Sequence, residues 1–264
     1  MSSVRIQGHR GWRGKHPENS WIGVKEALTL PICAIEIDVV EGPNKELVVS
    51  HDPWFADKDG RVRALRDFTP QEFSRLRFGN EPNADFPEQK LNSCRIMFFH
   101  DLLSRWPSTG PTINVEIKSK AIWEDRFQSS FNELGDSLIE TLGKSDSKIL
   151  LQSFDWRLVQ QLGMLSSYPV NWICESLREW EDFKTGYRFT SKFLSGVSLF
   201  SGLINESAIK WCADHHLDLA VWTCNDEEES KKLFDLGVNN FITDYPEKLI
   251  QMFQNFGIEI QESY

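Results

Sequence analysis

Acidic, basic and imidazole side chains recur where apolar runs end. The first run stops at Gly8-His9-Arg10, the next carries Glu36-Ile37-Asp38, a third ends in Ser50-His51-Asp52 and a later one in Glu116-Ile117-Lys118. Alternate residues of an extended chain share a face. Glu36 and Asp38 therefore point one way, and Ile35, Ile37 and Val39 the other. Glu116 and Lys118 flank Ile117 in the same manner. Carboxylates inside apolar strands cost free energy unless a charge compensates them. Glu36, Asp38 and Glu116 form an oxygen-only ligand set, which suits one hard divalent cation, Mg²⁺ or Ca²⁺, better than zinc. His9 and His51, at the ends of adjacent segments, supply a general acid and a general base. The structural alternative is that Lys118 merely neutralises Glu116 and that Arg10 bridges to Glu36. Five strand ends agree, the fifth being Trp222-Thr223-Cys224-Asn225, and that agreement favours a site over scattered ion pairs. His16, His100, His215 and His216 lack such company and are read as loop or helix-end residues.

The elements that must hold these residues follow from hydrophobic periodicity. Extended candidates are residues 4–9, 34–40, 46–51, 112–118, 148–154, 170–176, 193–200, 217–224 and 238–243. Helical patterns lie near 20–30, 122–143, 155–165, 177–186, 205–215, 226–236 and 246–256. Asp155, Asn205 and Asn225-Asp226 are the residue types that open helices, and Gly237 is one that closes them. Strands followed by helices in series imply parallel pairing with crossover helices. A doubly wound open sheet competes with a closed barrel, but no glycine-rich nucleotide fingerprint opens any helix. The reading is an α/β chain folded as one (β/α)8 TIM barrel domain over 1–264. A small insertion, about 52–111, follows the second barrel strand. Barrel chemistry belongs at the C-terminal ends of the strands, which is where the polar residues cluster.

Composition narrows the partners. With a net charge of −10 the chain is unsuited to neutralising a nucleic-acid backbone, so no nucleic-acid partner is expected. A small anionic ester served by a metal ion and a few local cations is compatible with that charge. Cys33, Cys94, Cys174, Cys212 and Cys224 are odd in number and scattered, which reads as free thiols in a reducing compartment. Neither a charged-then-apolar leader nor an apolar run of membrane-spanning length is seen. A cytoplasmic location without stable membrane insertion is the corresponding expectation. No pattern in the sequence specifies an oligomeric state.

Taken in order, GHRG, PENS, EIDV, VVSHDP, NVEIK, SFD, VWTCN and FITDYP resemble the glycerophosphodiester phosphodiesterases, and they run from residue 8 to 246. The resemblance implies a (β/α)8 barrel of the phosphatidylinositol-phospholipase-C-like kind. It also implies metal-dependent hydrolysis of a small glycerophosphodiester to glycerol 3-phosphate and an alcohol. On that resemblance His9 and His51 are the acid–base pair, and Glu36, Asp38 and Glu116 the metal ligands. Arg10 and Lys118 are phosphate contacts, Trp222 a wall of the substrate cleft, and Glu18 and Asn19 supports that order the first loop. The segment FPEQKLNSCRIMFFHDLL departs from the family pattern. Two other functions are weighed. One is a lysophospholipase D-like enzyme acting on lipid diesters, with Trp54, Phe98, Phe99, Trp106 and Phe200 as an apolar cleft. The other is a barrel that binds phosphorylated ligands without turnover, which the full set of catalytic candidates argues against.

Overall fold

The computed structural model describes residues 3–57, 59–143, 145–186 and 193–264. Strand β1 (Ser3–Gly8) leads to helix α1 (Trp21–Ala27) and strand β2 (Ala34–Glu41). Short elements follow: β3 (Leu47–Val49), β4 (Trp54–Ala56), β5 (Val62–Ala64), α2 (Pro70–Phe73), β6 (Met97–Phe98) and α3 (Phe99–Arg105). Regular alternation resumes with β7 (Thr112–Ile117), α4 (Phe131–Leu142), β8 (Ile149–Ser153), α5 (Trp156–Leu165), β9 (Val170–Cys174) and α6 (Leu177–Gly186). It ends with β10 (Gly196–Phe200), α7 (Glu206–Asp214), β11 (Asp218–Trp222), α8 (Glu227–Asp235), β12 (Asn240–Thr243), α9 (Pro246–Asn255) and β13 (Glu259–Ile260).

Strands β1, β2 and β7–β12 pair in parallel, and β1 joins both β12 and β2, so the sheet closes into a (β/α)8 barrel. Every residue of β2 is buried, because one face meets the helices and the other the lumen. Val4, Ile6, Ile35, Ile37, Ile113 and Val115 belong to the main apolar core under the helices. The intervening positions are polar. Asn114 of β7 donates to Gln7 of β1 at 2.9 Å, across the width of β2, so both side chains point into the lumen. Gln7 in turn donates to Asn240 at 2.8 Å.

The excursion from the barrel opens earlier than residue 52. Strand β3 folds back antiparallel on β2, with Val49 opposite Val39, and β6 pairs with β3. Val40, Val48, Leu65 and Phe73 form a second small core beneath this layer. Helix α3 is not part of that annex. Its Phe99 and Leu102, with Trp106, join the main core, so it serves as the second crossover helix. The expected helix over 122–143 is shorter. A 3-10 turn spans Ala121–Trp123, and α4 starts only where Ser130 and Glu133 cap each other's backbone.

Candidate active site

The upper rim of the barrel collects the reactive side chains. Asp38 and Glu116 are lateral partners on β2 and β7, and Glu36 lies one pleat pair below Asp38. One oxygen from each of Glu36, Asp38 and Glu116 lies within 4.8 Å of the others. All three residues are buried, and Glu36 Oε1 has no hydrogen-bond partner. A carboxylate oxygen left bare at such depth calls for a cation. The residues present therefore fit a hard divalent ion.

Two side chains predicted as phosphate contacts also balance this charge. Lys118 Nζ lies 2.5 Å from Glu116 Oε1 and 3.2 Å from Asp38 Oδ1. Arg10 Nε sits 3.1 Å from Asp38 Oδ2, and its Nη1 donates to Glu18 Oε2 at 2.9 Å. Burial pushes the Glu36 carboxyl well above the usual range, and the neighbouring Asp38 and Glu116 charges push it further. Burial acts on Asp38 in the same direction, but Lys118 and Arg10 outweigh it and hold that group far below its ordinary value.

The loop after β1 supports Asp38 from the other side. Asn19, in the left-handed region at φ 54°, donates from Nδ2 to Asp38 Oδ2 at 2.8 Å and accepts the Asp38 backbone N–H at 3.1 Å. Ser20 caps α1 by accepting from the Gly23 N–H at 3.1 Å. Gly8 and Gly11 are demanded by the chain itself. A Cβ on Gly8 would stand 2.4 Å from the Gly11 carbonyl oxygen, and Gly11 has φ +86° against the backbone of Gly23 and Val24.

The two histidines have unequal settings. His9 is 9% exposed; its Nδ1 bonds Asp244 Oδ1 at 2.8 Å, and its Nε2 lies 3.9 Å from Glu36 Oε2. Asp244 Oδ2 accepts from Asn225 Nδ2 at 2.7 Å. Although burial would raise it, the His9 contact keeps the Asp244 carboxyl below its usual value. His51 is more open, with Nδ1 2.9 Å from Asp52 Oδ1. Asp244 was not singled out from the sequence, although it sits within FITDYP. The signal was its place at the end of a strand, the position already used to select the other residues. Arg13 was missed as well; its Nε lies 2.7 Å from Glu18 Oε2.

His9, Arg10, Arg13, Glu36, His51, Glu116 and Lys118 line a cleft of about 530 Å³, together with Trp54, Trp123, Phe154 and Trp222. Trp222 donates from Nε1 to the Ser198 carbonyl at 3.1 Å and meets Phe154 and Phe200 edge to face. Of the aromatics read as an apolar cleft, Trp54 lines this space, and Phe200 is exposed and meets Trp222, which lines it. Phe99 and Trp106 pack in the main core and Phe98 against the smaller one, because α3 is a barrel helix. Among the described residues no helix is long and apolar enough to cross a membrane.

Known proteins are similar to this chain over most of its length. Mouse (Mus musculus) lysophospholipase D GDPD1 is 21% identical, with 94% of this chain and 85% of that protein covered. A solved structure from Silicibacter pomeroyi superposes with a TM-score of 0.87 at 21% identity, covering 98% of this chain and 96% of the other. An Oleispira antarctica phosphodiesterase, solved in complex with the product sn-glycerol-3-phosphate, gives 0.77 at 19% identity, covering 95% and 96%. The model of the glycerophosphoryl diester phosphodiesterase family matches residues 9–248. The chain belongs to that family of phosphodiester hydrolases.

Proposed function

We propose that the protein hydrolyses small glycerophosphodiesters to sn-glycerol 3-phosphate and an alcohol, with His9 and His51 as its acid–base pair. The observation that carries this reading is His9 Nε2 poised 3.9 Å from the carboxylate triad while Asp244 holds the opposite ring nitrogen. Glu36, Asp38 and Glu116 would hold one divalent cation, Mg²⁺ or Ca²⁺, which when bound supplies positive charge to the phosphoryl oxygens. Arg10 and Lys118 add fixed charge at the same edge. His9 takes the proton of the attacking hydroxyl, the substrate's own glycerol 2-hydroxyl. A new O–P bond forms, the bond to the alcohol breaks, and His51 gives the leaving oxygen its proton. Water then opens the cyclic phosphate with the two histidines in exchanged roles. The competing route attacks phosphorus directly with water.

The deciding assay is a panel of glycerophosphodiesters, with and without EDTA and with each metal restored. Turnover that EDTA abolishes and Mg²⁺ or Ca²⁺ restores is expected, and turnover indifferent to EDTA would remove the triad's role. A substrate lacking the 2-hydroxyl should not be cleaved; normal cleavage would select the direct-water route. Exposed Ile122 and Phe200 near the cleft favour a second reading, a lipid diester substrate. Faster choline release from lysophosphatidylcholine than from glycerophosphocholine would establish it.

A further inference from the structure

Residues 78–94 of the inserted segment lie against the back of the loop that follows β1. The segment's two arms are joined by paired backbone bonds: Phe78 N–H to Cys94 O at 3.0 Å, Cys94 N–H to Phe78 O at 2.9 Å and Asn92 N–H to Gly79 O at 2.9 Å. The segment then reaches the active-site loop through four of its residues. Gln89 Nε2 donates both to Arg13 O at 2.7 Å and to His16 O at 2.8 Å. Lys90 N–H donates to Lys15 O at 2.9 Å. The Phe86 ring lies 4.6 Å under the Arg13 guanidinium. Gly79 stands so close to the Pro17 ring that a Cβ there would overlap it.

Each contact falls on residues 13–17, which carry no predicted role. The residues that do, Arg10, Glu18 and Asn19, flank them. Residues 13–16 are a loop with few bonds of its own: Lys15 N–H and His16 N–H reach Trp12 O, and Gly14 N–H reaches Asp244 O. The carbonyls of Arg13 and His16 would otherwise lack these partners, because a loop has no ladder to satisfy them. One side-chain amide with two N–H donors suits two carbonyls that diverge by three residues.

We propose that the inserted segment is a brace for the catalytic loop and that Gln89 is a positioning residue within it. By fixing Arg13 and His16 it sets where Glu18 and Asn19 stand. Glu18 holds the Arg10 guanidinium, and Asn19 holds the Asp38 carboxylate. Gln89 touches neither substrate nor metal ligand. Its effect on rate passes through the loop, since a displacement of about 1 Å at reacting groups costs on the order of 10²-fold. The kinetic consequence rests on the phosphodiesterase reading; the mechanical one does not.

The test compares Gln89→Leu, similar in size but without donors, with Leu91→Ala, an exposed neighbour in the same segment. Two readouts are taken on the full chain: kinetics on a glycerophosphodiester, and hydrogen exchange by mass spectrometry. For Gln89→Leu we expect kcat to fall roughly 10- to 100-fold, with KM changed far less. Exchange should speed up over residues 10–19 and stay at wild-type rates in β7–β12. Leu91→Ala should match the wild type in both. If Gln89→Leu does not fold, Phe86→Leu removes the second strut and is expected to loosen the same residues. Unchanged exchange over 10–19, or loosening spread over the whole barrel, would overturn the brace. Wild-type kcat with local loosening would overturn Gln89 as a positioning residue. A wild-type enzyme that cleaves no diester would sink the functional reading, leaving hydrogen exchange to decide the brace.

Discussion

His9 and His51 differ in how firmly they are held. Asp244 and Asn225 fix His9 in a buried chain of hydrogen bonds of 2.8 and 2.7 Å, whereas His51 has one half-exposed partner, Asp52. A base that must meet a hydroxyl in one geometry gains from the first setting. An acid that must follow a departing alcohol gains from the second. His51→Ala should therefore lower kcat by roughly 10²–10⁴ with little change in melting temperature, since a half-exposed side chain contributes little packing. Near-normal turnover would end its assignment as the acid. Asp244→Asn preserves shape but lets the amide present either an N–H or an oxygen to His9. A loss of roughly 10²-fold or more in kcat is expected, and an unaffected rate would show that Asp244 serves structure alone. The carboxylate triad was legible in the sequence because Glu36, Asp38 and Glu116 interrupt apolar strands. Asp244 also ends a strand, but its link to His9, 235 positions away, is made only when β12 pairs with β1.

A helix start can tie down a neighbouring strand end as well as stabilise its own helix. Asp155 caps α5 by accepting from the Arg157 N–H at 3.1 Å, and it also accepts from Ser119 Oγ at 2.8 Å. Ser119 directly follows Lys118, so the cap of α5 ties down the end of β7. Burial would raise the Asp155 carboxyl, but hydrogen bonds from Arg157 and Ser119 overcome this and hold it below its usual value. A carboxylate depressed in the folded state adds stability that is present above its unfolded value, about 3.9, and is lost as pH falls through its folded value. Asp155→Asn should thus melt lower than wild type at pH 7, and the gap should narrow below about pH 4. A gap that stays constant with pH would remove the charge from the explanation. Asp155, Asn205 and Asp226 were readable as caps because each precedes a clear helical period. The start of α4 was not. Residues 124–130, EDRFQSS, hold no glycine or proline to break a helix, and only the Ser130–Glu133 capping pair marks the true beginning.

At the other end of the barrel Tyr264 packs against the starts of the strands. After α9 the chain runs as β13 beside β1, with Gln261 N–H bonded to Val4 O at 2.8 Å. Tyr264 Oη then donates to Asp218 Oδ2 at 2.9 Å and accepts from Asn240 Nδ2 at 3.2 Å, while Arg5 pairs with Asp218 and lies 5.0 Å over the ring. Asn240 continues into the lumen through Gln7 and Asn114. The polar file therefore runs from the bottom of the barrel to the strands that carry the triad. No periodicity in the sequence announces these contacts of Tyr264, whereas the barrel itself was legible from repeated strand–helix units. Tyr264→Phe keeps the ring and removes the bond to the Asp218 carboxylate, worth about 1.5–3 kcal/mol, along with the one from Asn240 Nδ2, which still reaches Asp218 Oδ2 at 3.2 Å. For a chain of this size each kcal/mol moves the melting temperature by roughly 2–4 °C. A fall of about 3–12 °C is expected from those two ranges. The kcat should be unchanged, because the triad and both histidines lie at the opposite end of the strands. Thermal melts and initial rates on the same preparation check both halves. A melting temperature equal to wild type would show that water replaces the lost bond. A fall in kcat at temperatures well below the melt would show instead that the polar file couples the base of the barrel to its catalytic rim.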